Sequence, residues 1–63
     1  MIKAIFTNGM YKVPGCYTLF SLSELQAFAC SFGRHEINIY LTTGKKHTSY
    51  TYSEVFMEWS EWR

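Results

Sequence analysis

Residues 2–13 read Ile2-Lys3-Ala4-Ile5-Phe6-Thr7-Asn8-Gly9-Met10-Tyr11-Lys12-Val13. Apolar and polar residues alternate on both sides of Asn8-Gly9, the dipeptide best suited to the two positive φ angles of a type I′ turn. A two-residue turn pairs Thr7 with Met10, Phe6 with Tyr11 and Ala4 with Val13. That register gathers Ile2, Ala4, Phe6, Tyr11 and Val13 on one face and leaves Lys3, Ile5, Thr7, Met10 and Lys12 on the other. A slip of one residue would send the apolar set to the wrong face, so the pattern itself specifies the pairing. Pro14-Gly15 ends the hairpin, and 16–20 read as a short extended piece.

A helix start follows. Ser21 and Glu24 have the spacing of a capping box, each side chain satisfying the other's backbone N–H, with Phe20 and Leu25 placed as a hydrophobic staple. Leu22, Leu25, Phe28, Ala29 and Phe32 fall on one face at helical spacing. Gly33 suits the left-handed residue beyond a helix end, and Arg34 and His35 lie near the negative end of the dipole. These signals predict a helix over 22–32.

Residues 36–43 alternate again, with Ile37, Ile39 and Leu41 against Asn38, Tyr40 and Thr42. Gly44-Lys45-Lys46-His47 reads as a turn and 48–53 as the return strand. A two- or four-residue loop pairs Leu41 with Tyr50 and Ile39 with Tyr52, leaving Ser49, Thr51 and Ser53 outward. A three-residue loop mixes the two faces and is rejected on that ground. The segment from Glu54 to Arg63 fits strand or helix, and the helix is the cleaner reading. Ser53 would cap it, Glu54, Glu58 and Glu61 would form an acidic stripe, and Val55, Trp59 and Trp62 an apolar one, with Phe56 at its edge and Arg63 at the negative end.

The expected fold is therefore α+β: a small two-layer single domain over 1–63. An antiparallel sheet of two β-hairpins is covered by one helix (22–32), with a short C-terminal helix over 54–62. At 63 residues, 48% apolar and 17% charged, the chain has room for one domain and is too apolar for a disordered tail. No apolar run approaches the ~18 residues of a membrane span, and the N-terminal segment lacks the layout of a signal peptide. Together with only two cysteines, Cys16 and Cys30, this predicts a cytoplasmic location (host cytoplasm for a viral protein) and free thiols.

The inventory for catalysis is thin. There is no Asp, the five glutamates read as caps or solvated faces, and His35-Glu36 is followed at the required spacing by Ile39 rather than a second zinc-binding histidine. Gly44-Lys45-Lys46 lacks the upstream glycine of a phosphate loop. The expectation is no enzyme, no cofactor and no metal.

Three surfaces remain as candidates. Lys45, Lys46 and His47 form a basic hairpin tip near outward-facing Tyr40, with Lys3 and Lys12 on the same face, a weak nucleic-acid pattern. Ser23, Ala27, Cys30 and Ser31 lie on one helix flank, where small residues would admit a second copy as a homodimer. The third is the C-terminal segment. Residues 1–52 carry five Lys/Arg and two Glu, net +3, whereas 53–63 carry one Arg and three Glu, net −2. Two Trp, five Tyr and five Phe, 19% of the chain, are also more ring area than so small an interior hides.

The sequence thus points to a non-catalytic protein-binding module contacting a larger intracellular protein through Trp62, Glu58, Glu61, Tyr40, Met10, Lys45 and Lys46. Steric inhibition of a host nuclease, CRISPR effector or polymerase by a phage or mobile-element accessory protein is the expected setting, an anti-CRISPR being one example. The alternatives are a small nucleic-acid-binding regulator using the 45–47 tip and outer sheet face, and a self-associating structural subunit.

Overall fold

The computed structural model describes residues 2–62. The elements run β1 (Ile2–Thr7), β2 (Met10–Lys12), β3 (Leu19–Phe20), α1 (Leu22–Ser31), β4 (Glu36–Leu41), β5 (Lys46–Ser53) and β6 (Glu58–Trp62). All six strands join one sheet in the order β3-β2-β1-β4-β5-β6, with α1 packed against one face. The molecule is a small α+β domain. No helix among the described residues is long and apolar enough to cross a membrane.

The first hairpin forms with the expected turn and register, but β2 ends at Lys12, so the ladder stops at Ile5–Lys12, short of the expected Ala4–Val13 pair. Asn8 and Gly9 take φ angles of 50° and 78°, and Phe6 pairs with Tyr11 and Thr7 with Met10. Short β3 then pairs Phe20 with Tyr11 and Leu19 with Lys12.

The helix begins with the expected capping box. Glu24 N–H donates to Ser21 Oγ at 3.3 Å, and Ser21 N–H donates to Glu24 Oε1 at 2.9 Å. At the other end Arg34 N–H donates to Ala29 O (2.9 Å) and Gly33 N–H to Cys30 O (3.0 Å), the paired bonds of a Schellman motif closed by Gly33 at φ 68°. Phe32 is the C-cap, so the helix stops at Ser31, one residue short of the expected end.

Three expectations are corrected. First, the sheet is mixed rather than purely antiparallel. Helix α1 carries the chain back before β4 begins, so β4 runs parallel to β1 and the two hairpins meet through that pair. Ile2 lies beside Ile37, Ala4 beside Ile39 and Phe6 beside Leu41, which fuses the two apolar rows.

Second, the rejected three-residue loop is the one that forms. The turn is Thr42-Thr43-Gly44, with Gly44 at φ 92°, Gly44 N–H donating to Leu41 O and Leu41 N–H to Lys45 O. Lys46 and His47 belong to β5 rather than to the tip. Tyr40 pairs with Lys46, a register that would set Ile39 against His47 and mix the faces. A bulge at His47 restores parity: Ile39 pairs with Thr48 and Ile37 with Tyr50, not Leu41 with Tyr50 and Ile39 with Tyr52. The bulge also brings the His47 ring to 5.9 Å from that of Phe6.

Third, 54–62 is not a helix. Ser53 does receive the capping bond, Phe56 N–H donating to its Oγ at 3.3 Å, but the cap closes a single turn. Met57 then adopts φ 55°, a left-handed angle that no helix continues through, and the chain reverses into β6. An isolated helix of about ten residues is marginal in water, whereas β6 pairs with β5 along its whole length, from Ser53 and Glu58 to Ser49 and Trp62. The acidic stripe is thereby split: Glu58 and Glu61 occupy opposite sheet faces. Arg63, expected at the helix end, lies outside the described residues.

The core is small. Ala4, Leu25, Ala29, Ile37 and Ile39 are fully buried and Tyr50 nearly so, with Ile2, Phe6, Tyr11, Val13, Phe20, Leu22 and Trp59 packed around them. Ala4 and Ala29 are small enough to let α1 approach the central strands closely. The helix touches β2, β3 and β4, so the β5–β6 side of the sheet extends beyond its cover.

Candidate functional site

Of the seven large apolar side chains exposed among the described residues, four lie on the β5–β6 hairpin, and Tyr17, Leu19 and Phe32 lie elsewhere. Val55, Phe56 and Met57 follow one another in the turn and are 85%, 76% and 76% exposed. Trp62, at the far end of β6, is 60% exposed on the sheet face away from α1. Isolated surface apolar residues are ordinary, but three in succession at a tip are not explained by folding.

The backbone makes the point more sharply. A left-handed residue without glycine's freedom costs roughly 1–2 kcal/mol, and Gly or Asn would relieve it. Met57 accepts that cost while its side chain gains little cover in return. Glu54 and Glu58 flank the three apolar residues.

The hairpin just behind the tip is better held. Tyr52 pairs with Trp59 across the strands with rings 5.4 Å apart, and His35 lies 5.4 Å from Tyr52 on the other side. His35 Nδ1 is 3.2 Å from Glu54 Oε1, and its carbonyl accepts from Tyr52 N–H at 2.8 Å. At the far end, buried Thr48 donates its hydroxyl to Trp62 O at 2.6 Å, fastening the last residue of β6 to β5.

The residues singled out from sequence scatter over the sheet. Met10, Tyr40, Lys46, Glu58 and Trp62 share the outer face, as their registers require. Tyr40 is half-buried there, with Lys3 Nζ 5.9 Å from its ring centroid. Asn38, beside it, is buried on that face and donates to Glu36 Oε1 at 3.4 Å. Glu61 lies on the α1 side opposite Tyr50, separated from Glu58 and Trp62 by the sheet. Lys45 follows the Thr42-Thr43-Gly44 turn, and its carbonyl accepts from Leu41 N–H.

Ser23, Ala27, Cys30 and Ser31 are all exposed on the outer flank of α1, and Ser31 Oγ donates to Phe28 O. Cys16 and Cys30 are not disulfide-bonded. A groove of about 470 Å³ lies by the helix end, lined by Phe28, Phe32, Pro14, Lys3 and Arg34 among others; Phe32, expected in the core, is exposed.

No family model, curated protein or solved structure matches the chain. The reading of function rests on the residues themselves. Among the described residues no group of three or more His, Cys, Asp or Glu is placed to hold a metal ion. The Glu24 carboxyl is held below its ordinary value by the backbone and then the side-chain hydrogen bonds of Ser21, which belong to helix capping.

Val55, Phe56 and Met57 were missed as a unit in the sequence because a helical reading spreads them around an axis. Their signal was present: three apolar residues between two glutamates, directly after Ser53. In a hairpin the same residues become a continuous projecting tip.

Proposed function

We propose that this chain is a non-catalytic protein-binding module whose contact surface is the β5–β6 hairpin. The observation that carries the reading is Met57: an exposed apolar side chain held in a left-handed conformation next to exposed Val55 and Phe56. Apolar anchors in the centre of a contact supply most binding energy, and charges around them set orientation and association rate. Phe56 and Met57 are the anchors, Trp62 extends the surface along β6, and Glu54 and Glu58 steer toward a partner rimmed with Lys or Arg.

The acidic flanks oppose anionic nucleic acid and anionic membrane surfaces, which favours a protein partner. The mechanism is occlusion: a rigid sheet presents the tip, and the bound domain covers part of a larger protein. Inhibition of a nuclease, CRISPR effector or polymerase in the host of a phage or mobile element remains the proposed setting.

The test is affinity capture from native cells using the tagged full chain, with and without nuclease. A stoichiometric protein that survives nuclease and is lost when Phe56 and Met57 are both changed to Ser supports the reading. Recovery that disappears with nuclease, or capture indifferent to the tip, contradicts it.

A further inference from the structure

The C-terminal end of α1 forms one wall of the groove of about 470 Å³. Phe28 and Phe32 stand on that wall with ring centroids 5.0 Å apart, and Phe20 continues the row at 5.0 Å from Phe28. Ile2, Val13 and Pro14 complete the apolar lining. Phe32 ends the apolar stripe of the helix yet is 65% exposed, so packing of the core does not account for it. Small-ligand sites are clefts of roughly 300–1,000 Å³, mostly apolar, with a few placed polar groups.

The polar groups here are both cations, Lys3 and Arg34. Ala29 O and Cys30 O accept from the backbone N–H groups of Arg34 and Gly33, so closing the helix does not use the Arg34 guanidinium. Lys3 stands between this groove and a smaller one on the outer face, its Nζ 5.9 Å from the Tyr40 ring centroid. Among the described residues neither cation is in an ion pair. Of the carboxylates on neighbouring segments, Glu24 caps the far end of α1, Glu36 accepts from Asn38 and Glu54 meets His35. No Asp or Glu precedes Glu24 in the chain.

We propose that this groove binds a small aromatic carboxylate. Its ring lies against Phe28 and Phe32, and its carboxylate meets the Arg34 guanidinium with Lys3 alongside. Aromatic rings attract at centroid separations of about 4.5–7 Å, and a guanidinium engages a carboxylate through two parallel charge-assisted hydrogen bonds. The inference goes beyond the hairpin reading and uses none of Val55, Phe56 or Met57.

The lining selects the occupant. None of the seven lining residues has a neutral hydrogen-bonding side chain, and Pro14 has no backbone N–H. A peptide laid in the groove would bring backbone N–H and C=O groups that find few partners there, each at a cost. The same objection meets the hairpin tip of a second copy, whose Glu54 is already held by His35. An aromatic acid carries a single polar group, and that group is the one the two cations match. An aromatic amine meets the same walls with the wrong charge.

The test titrates the ¹⁵N-labelled full chain with 2-naphthoate, using 1-naphthylmethylammonium and acetate as controls for charge and ring. The expected result is saturable amide shifts at Lys3, Phe28, Phe32, Gly33 and Arg34. The Kd should be roughly 1 mM or below, as the ligand's size and ordinary ligand efficiency imply. Both controls should bind at least about tenfold more weakly, and Arg34→Gln should weaken naphthoate by a similar factor, with Arg34→Lys retaining more. Phe32→Ser should also weaken it while the dispersed amide spectrum of the folded chain persists.

Equal binding of either control, shifts away from the groove, or indifference to Arg34→Gln overturns the proposal. So does a dimer in sedimentation that Arg34→Gln abolishes, or tighter binding of a capped Glu-Leu-Phe-Glu peptide at the same residues; the occupant is then a second copy or a protein segment. The Phe56→Ser, Met57→Ser variant separates this site from the hairpin reading: it should abolish partner capture and leave naphthoate binding unchanged.

Discussion

Tyr52 and Trp59 face each other across β5 and β6, ring centroids 5.4 Å apart and planes inclined by 56°. The pair divides the hairpin in two. Below it, His35 and the sheet cover the rings; beyond it, Val55, Phe56 and Met57 project without comparable cover. The two tryptophans are thereby assigned different work, Trp59 to holding the hairpin and Trp62 to its outer surface.

Trp59→Ala should lower stability by about 2–3 kcal/mol, less than a fully buried aromatic because Trp59 is only half-buried. Trp62→Ala should change stability by no more than about 0.5 kcal/mol, since its structural bond uses its backbone carbonyl. Urea unfolding of the two variants checks both. Equal losses would mean that the division is wrong.

Met57→Gly should raise stability by about 0.5–1 kcal/mol, because glycine accepts φ 55° at little cost. The same substitution should weaken partner binding. Thermal denaturation and a binding isotherm give the two readouts. A destabilised variant would show that the Met57 side chain is needed for the fold itself.

Ser21→Ala should cost about 1 kcal/mol by removing the helix cap. Its bonds also hold the Glu24 carboxyl below its ordinary pKa of 4.5. A group depressed in the folded state contributes stability above its unfolded pKa, and that contribution is lost as pH falls through the lowered value. Carboxyl NMR titration should find Glu24 low in the native chain and only partly raised in Ser21→Ala, which removes the hydroxyl but keeps the Ser21 N–H that is the larger cause. A Glu24 carboxyl at its ordinary value in the native chain would exclude the capping box.

Gly44→Ala should destabilise by about 1–2 kcal/mol, because φ 92° is strained for any side chain although nothing occupies the space around it. This turn and the His47 bulge set the β4–β5 register together, so the variant should also broaden the Thr48 and Ser49 amide signals. Neutral stability with sharp signals would argue that another turn type serves equally well.

What could be read from the sequence was local. Asn8-Gly9, the Ser21–Glu24 box and Gly33 each encode their geometry within a few residues, and each forms as expected. The parallel β1–β4 pair is non-local: nothing in Ile2–Thr7 specifies that Glu36–Leu41 lies beside it. The three-residue turn was rejected by a face argument that holds only without a bulge, and His47 carries no bulge signature of its own. The C-terminal segment has both periods in its residues, and pairing with β5 decides between them. The site followed suit. Trp62 and Glu58 were visible as surplus aromatic and charge, while the exposed tip emerged only once the turn at 54–57 replaced the helix.

The most direct test of the central claim is hydrogen–deuterium exchange of the purified partner complex against the free chain. Slowed exchange concentrated in residues 54–62, with α1 and the 42–45 turn unchanged, is the result predicted for binding through the hairpin. Slowing confined to α1 or to the 42–45 turn, with 54–62 exchanging as in the free chain, would contradict it.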